Sequence, residues 1–105
     1  DVTAIFAFSD LIAIGVQKAA AQCGLSIPGD VSLIGYDDSF YANLCSIPLT
    51  TIRQPIEMLG SRSFEILMER IQNPDRVHQD YLYPPALIQR ASCSVPRRSP
   101  ASLLR

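Results

Sequence analysis

The sequence predicts an α/β fold, a parallel sheet flanked by helices, from three observations. Val31-Ser32-Leu33-Ile34-Gly35-Tyr36-Asp37-Asp38 is a short apolar strand that ends in glycine and then presents two carboxylates. Thr3 to Phe8, β-branched and aromatic, runs straight into Ser9-Asp10, a pair suited to open a helix. Leu49 to Arg53 reads as a strand by its Thr50-Thr51-Ile52 content and leads at once into Gln54-Pro55 and a second helical stretch. In open α/β sheets ligands collect outside the carboxyl ends of the strands, so acids placed there are natural acceptors for hydroxyl or amino groups.

The first helix should run from about Asp10 to Cys23, with Ser9 as N-cap and Asp10 in the positively polarised first turn. Gly24 supplies the left-handed stop, and Leu25 is placed for the contact of a Schellman motif. On a helical wheel Ile12, Val16, Ala19 and Cys23 form one stripe, which is expected to cover the sheet. Leu11, Ile14 and Ala21 lie on a different face beside Lys18; that face meets either a partner subunit or another element of the same chain. Ile27-Pro28-Gly29-Asp30 is a turn, and the stretch from Asp38 to Leu44 is a loop or a single helical turn. Pro55 suits the first position of a helix that extends to Ile71, before Asn73-Pro74, with Ile56, Leu59, Phe64, Leu67, Met68 and Ile71 on its apolar face. Tyr81-Leu82-Tyr83 and Leu87-Ile88-Gln89-Arg90 are extended segments on either side of Pro84-Pro85. Residues 94–105, rich in serine, proline and arginine, are expected to be a disordered tail.

With 105 residues, 48% of them hydrophobic, the chain can enclose one small core. It starts without methionine and enters a strand within two residues, so it is expected to be a piece of a longer protein. A net charge of −1, with one lysine and scattered arginines, supplies no basic stripe for nucleic acid. No apolar run approaches the roughly 20 residues that span a bilayer. Cys23, Cys45 and Cys93 are odd in number and widely spaced, which suggests neither a disulfide framework nor a zinc site and fits a reducing compartment.

Catalysis finds little support. Neighbours on an extended segment point to opposite sides, so Asp37 and Asp38 do not readily converge on one atom. Ser9 lacks a nucleophile-elbow context, and His78, the single histidine, sits in a polar loop. The glycines are isolated, so no phosphate-cradling loop forms and no nucleotide cofactor is expected. A crevice remains, lined by Asp37, with Ser9 at the end of the preceding strand and the start of the Pro55 helix opposite. An ionised carboxylate accepts two hydrogen bonds from adjacent hydroxyls, which suits a sugar or another polyol. Caps and turns alone would also account for these residues.

The residues resemble one family: the effector-binding core of the bacterial LacI/GalR transcription regulators. The resemblance is carried by Ala4-Ile5-Phe6-Ala7-Phe8-Ser9-Asp10-Leu11-Ile12-Ala13-Ile14-Gly15, by Gly24 through Asp38, by Pro48-Leu49-Thr50-Thr51-Ile52-Arg53-Gln54-Pro55, and by Pro84-Pro85-Ala86-Leu87-Ile88-Gln89-Arg90. It implies a type I periplasmic-binding-protein fold of two α/β subdomains with an effector between them. Residues 1–93 would be the C-terminal part of that core, and the DNA-binding helix-turn-helix domain would lie outside this chain. By the same resemblance Asp37 accepts hydrogen bonds from the effector, Ser9 stands where asparagine is common, Ile56 and Leu59 floor the pocket, and Gln54 sits at the hinge. Ile14, Leu44 and Cys45, with Leu11 on the same helix, would form the surface of a homodimer. No metal, cofactor, enzymatic activity or membrane partner is implied, and the location would be cytoplasmic, with operator DNA reached only through the missing domain. A secreted sugar-binding protein of a transporter or chemoreceptor shares the fold, but the Gly-Tyr-Asp-Asp and Leu-Thr-Thr-Ile-Arg-Gln wording looks like the repressor branch.

Overall fold

In the computed structural model the described residues are 2–97, and they fall into two units, one comprising those up to Arg53 and from Ala86 onward, the other Gln54–Pro85. The first unit holds β1 (Ala4–Phe6), α1 (Asp10–Gln22), β2 (Ser32–Tyr36), a 3₁₀ turn (Phe40–Asn43), β3 (Thr50–Arg53) and β4 (Ala86–Ile88). The strands form one sheet in the order β1-β2-β3-β4. β1 and β2 are parallel with Ala4 beside Ser32, and β2 and β3 are parallel with Ile34 beside Thr50. β4 is antiparallel to β3, with Arg53 beside Ala86, so the sheet is mixed and mainly parallel. Its carboxyl ends present Ser9, Asp37 and Arg53 in turn.

α1 begins and ends as its sequence dictates. Ser9 is extended and its Oγ accepts from the amide of Ile12 at 3.3 Å. Gly24 has φ +72°, its amide donates to Ala21, and the Leu25 amide donates to Ala20, the two bonds of a Schellman motif.

The sheet-facing stripe of α1 differs from the expected one. Asp10, Ala13, Gln17 and Ala20 are buried, Val16 packs at the margin of the core, and Ile12, Ala19 and Cys23 are exposed. The reason is steric and polar: Ala13 and Ala20 let the helix backbone approach the sheet, while Asp10 and Gln17 satisfy backbone groups there. Gln17 Nε2 donates to the Ile47 carbonyl at 2.8 Å, and its Oε1 accepts from the Ile47 amide at 3.3 Å. Leu33 and Leu49 anchor the core, with Ala7, Ala42, Ile27 and Val31 around them. Ser92, fully buried, closes the far side, accepting from the Thr50 amide at 2.8 Å and donating to the Leu33 carbonyl at 2.5 Å.

Of the stretch expected to be a disordered tail, 98–105 lies outside the described residues. Ser94 exchanges hydrogen bonds with Ser32, both 3.1 Å, and Arg97 pairs with Asp30 at 3.3 Å.

The second unit consists of α2 (Ile56–Gln72) and the segment after it. Pro55 is the N-cap rather than the first helical residue. None of its helical residues is buried; Ile56, Phe64, Leu67 and Ile71 on the expected apolar face are more than half exposed. Tyr81-Leu82-Tyr83 joins no sheet, because Arg62 holds it: the guanidinium lies 5.7 Å from the Tyr81 ring centre and donates to the Tyr83 hydroxyl at 3.4 Å.

Two glycines separate packing from propensity. A Cβ at Gly35 would fall 2.7 Å from Leu49 Cδ2 and still closer to the Asp10 carboxylate, whereas one at Gly15 in α1 meets nothing within 4 Å. Gly35→Ala should therefore destabilise by about 2 kcal/mol or more. Gly15→Ala should stabilise by about 0.5–1 kcal/mol. Chemical denaturation of both variants checks the pair, and equal effects would contradict the packing described.

Candidate functional site

The polar end of the sheet is organised by a carboxylate that composition does not single out. Asp10, only 1% exposed, accepts from Thr51 Oγ1 at 2.5 Å through Oδ1 and from the Ser39 amide at 2.6 Å through Oδ2. It stands in the first turn of α1, where the helix dipole favours negative charge. Thr51 Oγ1 in turn accepts from the Asp38 amide at 3.3 Å, and the Asp37 amide donates to the Ile52 carbonyl at 2.8 Å. Three successive amides, those of residues 37 to 39, are thus tied to β3 and α1.

The turn they define is unusual for side-chain-bearing residues. Asp37 has φ +104° and Asp38 φ +50°. Asp38 lies in the left-handed region that Asp tolerates, but Asp37 lies outside it and costs of order 1–3 kcal/mol. Backbone strain of this size persists only where the surroundings impose it, and it clusters at ligand sites.

The two aspartates have separate roles. The Asp38 side chain, 7% exposed, is gripped by Arg53 Nε at 2.6 Å and Arg90 Nη2 at 2.7 Å, one on each carboxylate oxygen. Desolvation alone would raise its carboxyl, but the hydrogen bonds and charge of Arg90 and Arg53 outweigh it and hold the pKa below the usual 3.8. Arg90 is itself fixed, its Nη1 donating to the Leu49 carbonyl and its amide to Thr50 Oγ1, both at 3.0 Å. Asp37 is half-buried beside this clamp.

Ser9 and Asp37 follow the adjacent strands β1 and β2 in one unit, and Ser9 is half-buried with its Oγ serving the helix cap. Gln54, Ile56 and Leu59 belong to the other unit, Ile56 largely exposed and Leu59 half-buried. Of the residues ascribed to a dimer surface, Ile14, Leu44 and Cys45 line one open groove of about 700 Å³ with Lys18, Ala21 and Ile47, while Leu11 is exposed outside it. Cys45 Sγ donates to the Ile47 carbonyl at 2.9 Å, on the same groove wall that Gln17 holds. His78 is exposed and contacts Arg70 and Asp80. Among the described residues no group of three or more His, Cys, Asp or Glu side chains is placed to hold a metal ion. Nor is any helix among them long and apolar enough to cross a membrane.

Sequence reasoning missed Asp10, Thr51, Arg53 and Arg90. Asp10 read as a helix-start residue and Thr51 as a strand former, both true and both incomplete. The available signal was the pairing of an acid after β1 with a hydroxyl facing it from the middle of β3.

A mainly parallel sheet with helix-capping and acidic side chains at its carboxyl ends has the architecture of the open α/β sheets, whose ligands collect at those ends. Residues 2–93 match the family described as periplasmic binding protein-like domain. The chain is 39% identical over 90 residues to the HTH-type transcriptional repressor PurR of Vibrio atlanticus strain LGP32, covering 86% of this chain and 27% of that protein. Its fold superposes on a LacI family transcriptional regulator from Enterococcus faecalis V583 with bound ribose, with a TM-score of 0.80 and 41% identity over 91% of this chain and 36% of the other. The lac repressor dimer bound to operator and the anti-inducer ONPF gives a TM-score of 0.78 and 31% identity over 89% and 32%. The chain belongs to the periplasmic binding protein-like family, in the branch of the LacI/GalR transcriptional regulators. It spans about a quarter of the length of the curated relatives it matches.

The Asp38 clamp makes an acid-stability prediction. A carboxyl whose pKa is lowered on folding contributes stability that is complete above its unfolded value and is lost as the pH falls through the lowered one. The acid limb below about pH 4 should therefore flatten in Asp38→Asn when unfolding is followed from pH 7 to pH 2. An unchanged limb would show that the clamp contributes nothing to acid stability.

Proposed function

We propose that this chain is the effector-binding and dimerisation region of a LacI/GalR-type transcriptional regulator, and that its effector is a sugar or related polyol. The observation that carries the reading is the strained Asp37 at the carboxyl end of β2, with Ser9 following the adjacent strand β1. A carboxylate held there can accept hydrogen bonds from vicinal hydroxyls, which are stronger than neutral ones because the acceptor is charged. The Enterococcus faecalis relative with bound ribose supports the chemical class. Gln54, Ile56 and Leu59 are the further residues that the family resemblance assigns to effector binding.

The regulator is a homodimer that pairs through the α1 groove, whose Ile14, Ala21 and Leu44 give it apolar surface. The dimeric lac repressor bound to operator supports this, and operator DNA is contacted by a separate domain of the whole protein. The effector then acts by preferring one closure angle between the two subdomains of the whole effector-binding core, which biases the paired DNA-binding heads. Such a regulator carries out no catalysis and works in the cytoplasm.

Titration calorimetry of the whole protein that contains this chain against pentoses, hexoses and disaccharides tests the reading. Asp37→Asn should weaken the sugar that binds by about 2 kcal/mol, roughly 30-fold. Binding unchanged by that substitution would remove Asp37 from the site. Separately, Ile14→Asp should convert the dimer to monomer in sedimentation, and a persisting dimer would place the interface elsewhere.

A further inference from the structure

Gln17 occupies the inward stripe of α1 between Ala13 and Ala20, and it is only 8% exposed. Its amide reaches the irregular segment that follows the 3₁₀ turn. Nε2 donates to the Ile47 carbonyl at 2.8 Å and Oε1 accepts from the Ile47 amide at 3.3 Å, so one side chain meets both polar groups of one residue, as a neighbouring strand would. The same Nε2 lies 3.6 Å from Cys45 Sγ, and the Cys45 thiol donates to the Ile47 carbonyl at 2.9 Å. The groove on this side of α1 has one wall from the helix, with Ile14, Lys18 and Ala21, and one from this segment, with Leu44, Cys45 and Ile47. Gln17 lines the groove too and ties the second wall to the first.

We propose that Gln17 is the positioning residue of the dimer groove: by holding Ile47 it fixes the outer wall in the shape against which a second copy of this chain packs. The proposal rests on the reading of this groove as the dimer surface. The ends of the segment are tied to its own turn, the Leu44 and Cys45 amides donating to the Tyr41 carbonyl at 3.0 and 3.1 Å and the Leu49 amide to the Ala42 carbonyl at 2.7 Å. Those bonds are local, and none of them reaches α1. Cys45 and Ile47 also pack at the margin of the core, but apolar contact is non-directional and does not set where along the helix the wall sits. The two Gln17 bonds are directional and join residues 30 positions apart. Leu44 and Ser46 are exposed, so in a single subunit this wall faces solvent. An interface segment that must order itself on association weakens that association, and a wall already tied by Gln17 is ordered before the partner arrives.

A residue that positions the groove and one that only stabilises the fold differ in what their loss does to a subunit without its partner. Sedimentation of the whole protein that contains this chain, at a series of concentrations, gives the dimer dissociation constant, and Ile14→Asp supplies the monomer. Gln17→Met keeps the length of the side chain and loses both bonds, and it should raise the dissociation constant about tenfold. In the Ile14→Asp background the same substitution should shift thermal unfolding by no more than about 3 °C, because the freed Ile47 groups turn to water. In that background the Ile47 amide should exchange its hydrogen about tenfold faster than with Gln17 in place. A dissociation constant raised less than about threefold, an unchanged Ile47 exchange rate, or a larger fall in the monomer's transition each overturns the proposal. Gln17→Glu, which keeps the acceptor for the Ile47 amide but sets a carboxylate against the Ile47 carbonyl, should act in the same direction and carries the comparison if Gln17→Met does not fold. Ile14→Asp that remains dimeric removes the groove reading itself, whereas a monomeric Ile14→Asp with an unaffected Gln17→Met dimer removes only the role of Gln17.

Discussion

The buried carboxylate of Asp10 joins parts of the chain that are remote in sequence. It receives the Thr51 hydroxyl from β3, 41 residues away, and the Ser39 amide from the turn after β2, 29 residues away, while its own backbone opens α1. It also lies over Gly35, which has no side chain to keep it at a distance. An unpaired carboxylate at this depth would be strongly unfavourable, so each of its partners is constrained to stay where it is. The close approach of α1 to the sheet, allowed by Ala13 and Ala20, follows from the same requirement.

From that node the turn at the end of β2 acquires its shape. Asp10 fixes Ser39, Thr51 fixes Asp38, and Ile52 fixes Asp37. Arg53 and Arg90 then engage the Asp38 side chain from two directions. The result is a rigid platform with a strained residue at its edge, the arrangement expected of a preorganised binding group whose cost is met by the surrounding structure. The apolar groove on the outer side of α1 belongs to the same unit, and Gln17 connects the two faces of the helix through Ile47.

Much of the fold was legible because it depends on local chemistry. Strand composition, the Ser9 cap, the Gly24 stop and Pro55 are signals read within a few residues, and each element lies within a residue or two of its expected bounds. The buried face of α1 was not legible, because two of its inward positions, Asp10 and Gln17, are polar and displace the hydrophobic pattern by one position. The Tyr81 to Tyr83 segment has strand composition but no strand, since its aromatic rings are used by Arg62 instead. Asp37 is proposed from its position after β2 and from resemblance. The amide bonds that hold its turn to β3 and the engagement of Asp38 by two arginines, 15 and 52 residues away, are encoded by no local pattern.

The claim that Asp10 organises the site is tested most directly by hydrogen exchange of backbone amides in the unaltered protein and in Asp10→Asn. Asparagine keeps the shape and can still receive the Thr51 hydroxyl, but it then turns an amide group toward the Ser39 N–H. The account predicts that Ser39, Asp38 and Asp37 lose protection together, along with the end of β3, while β1 and the middle of α1 keep theirs. Loss of protection confined to the first turn of α1, with the Asp37 to Ser39 amides unchanged, would contradict it.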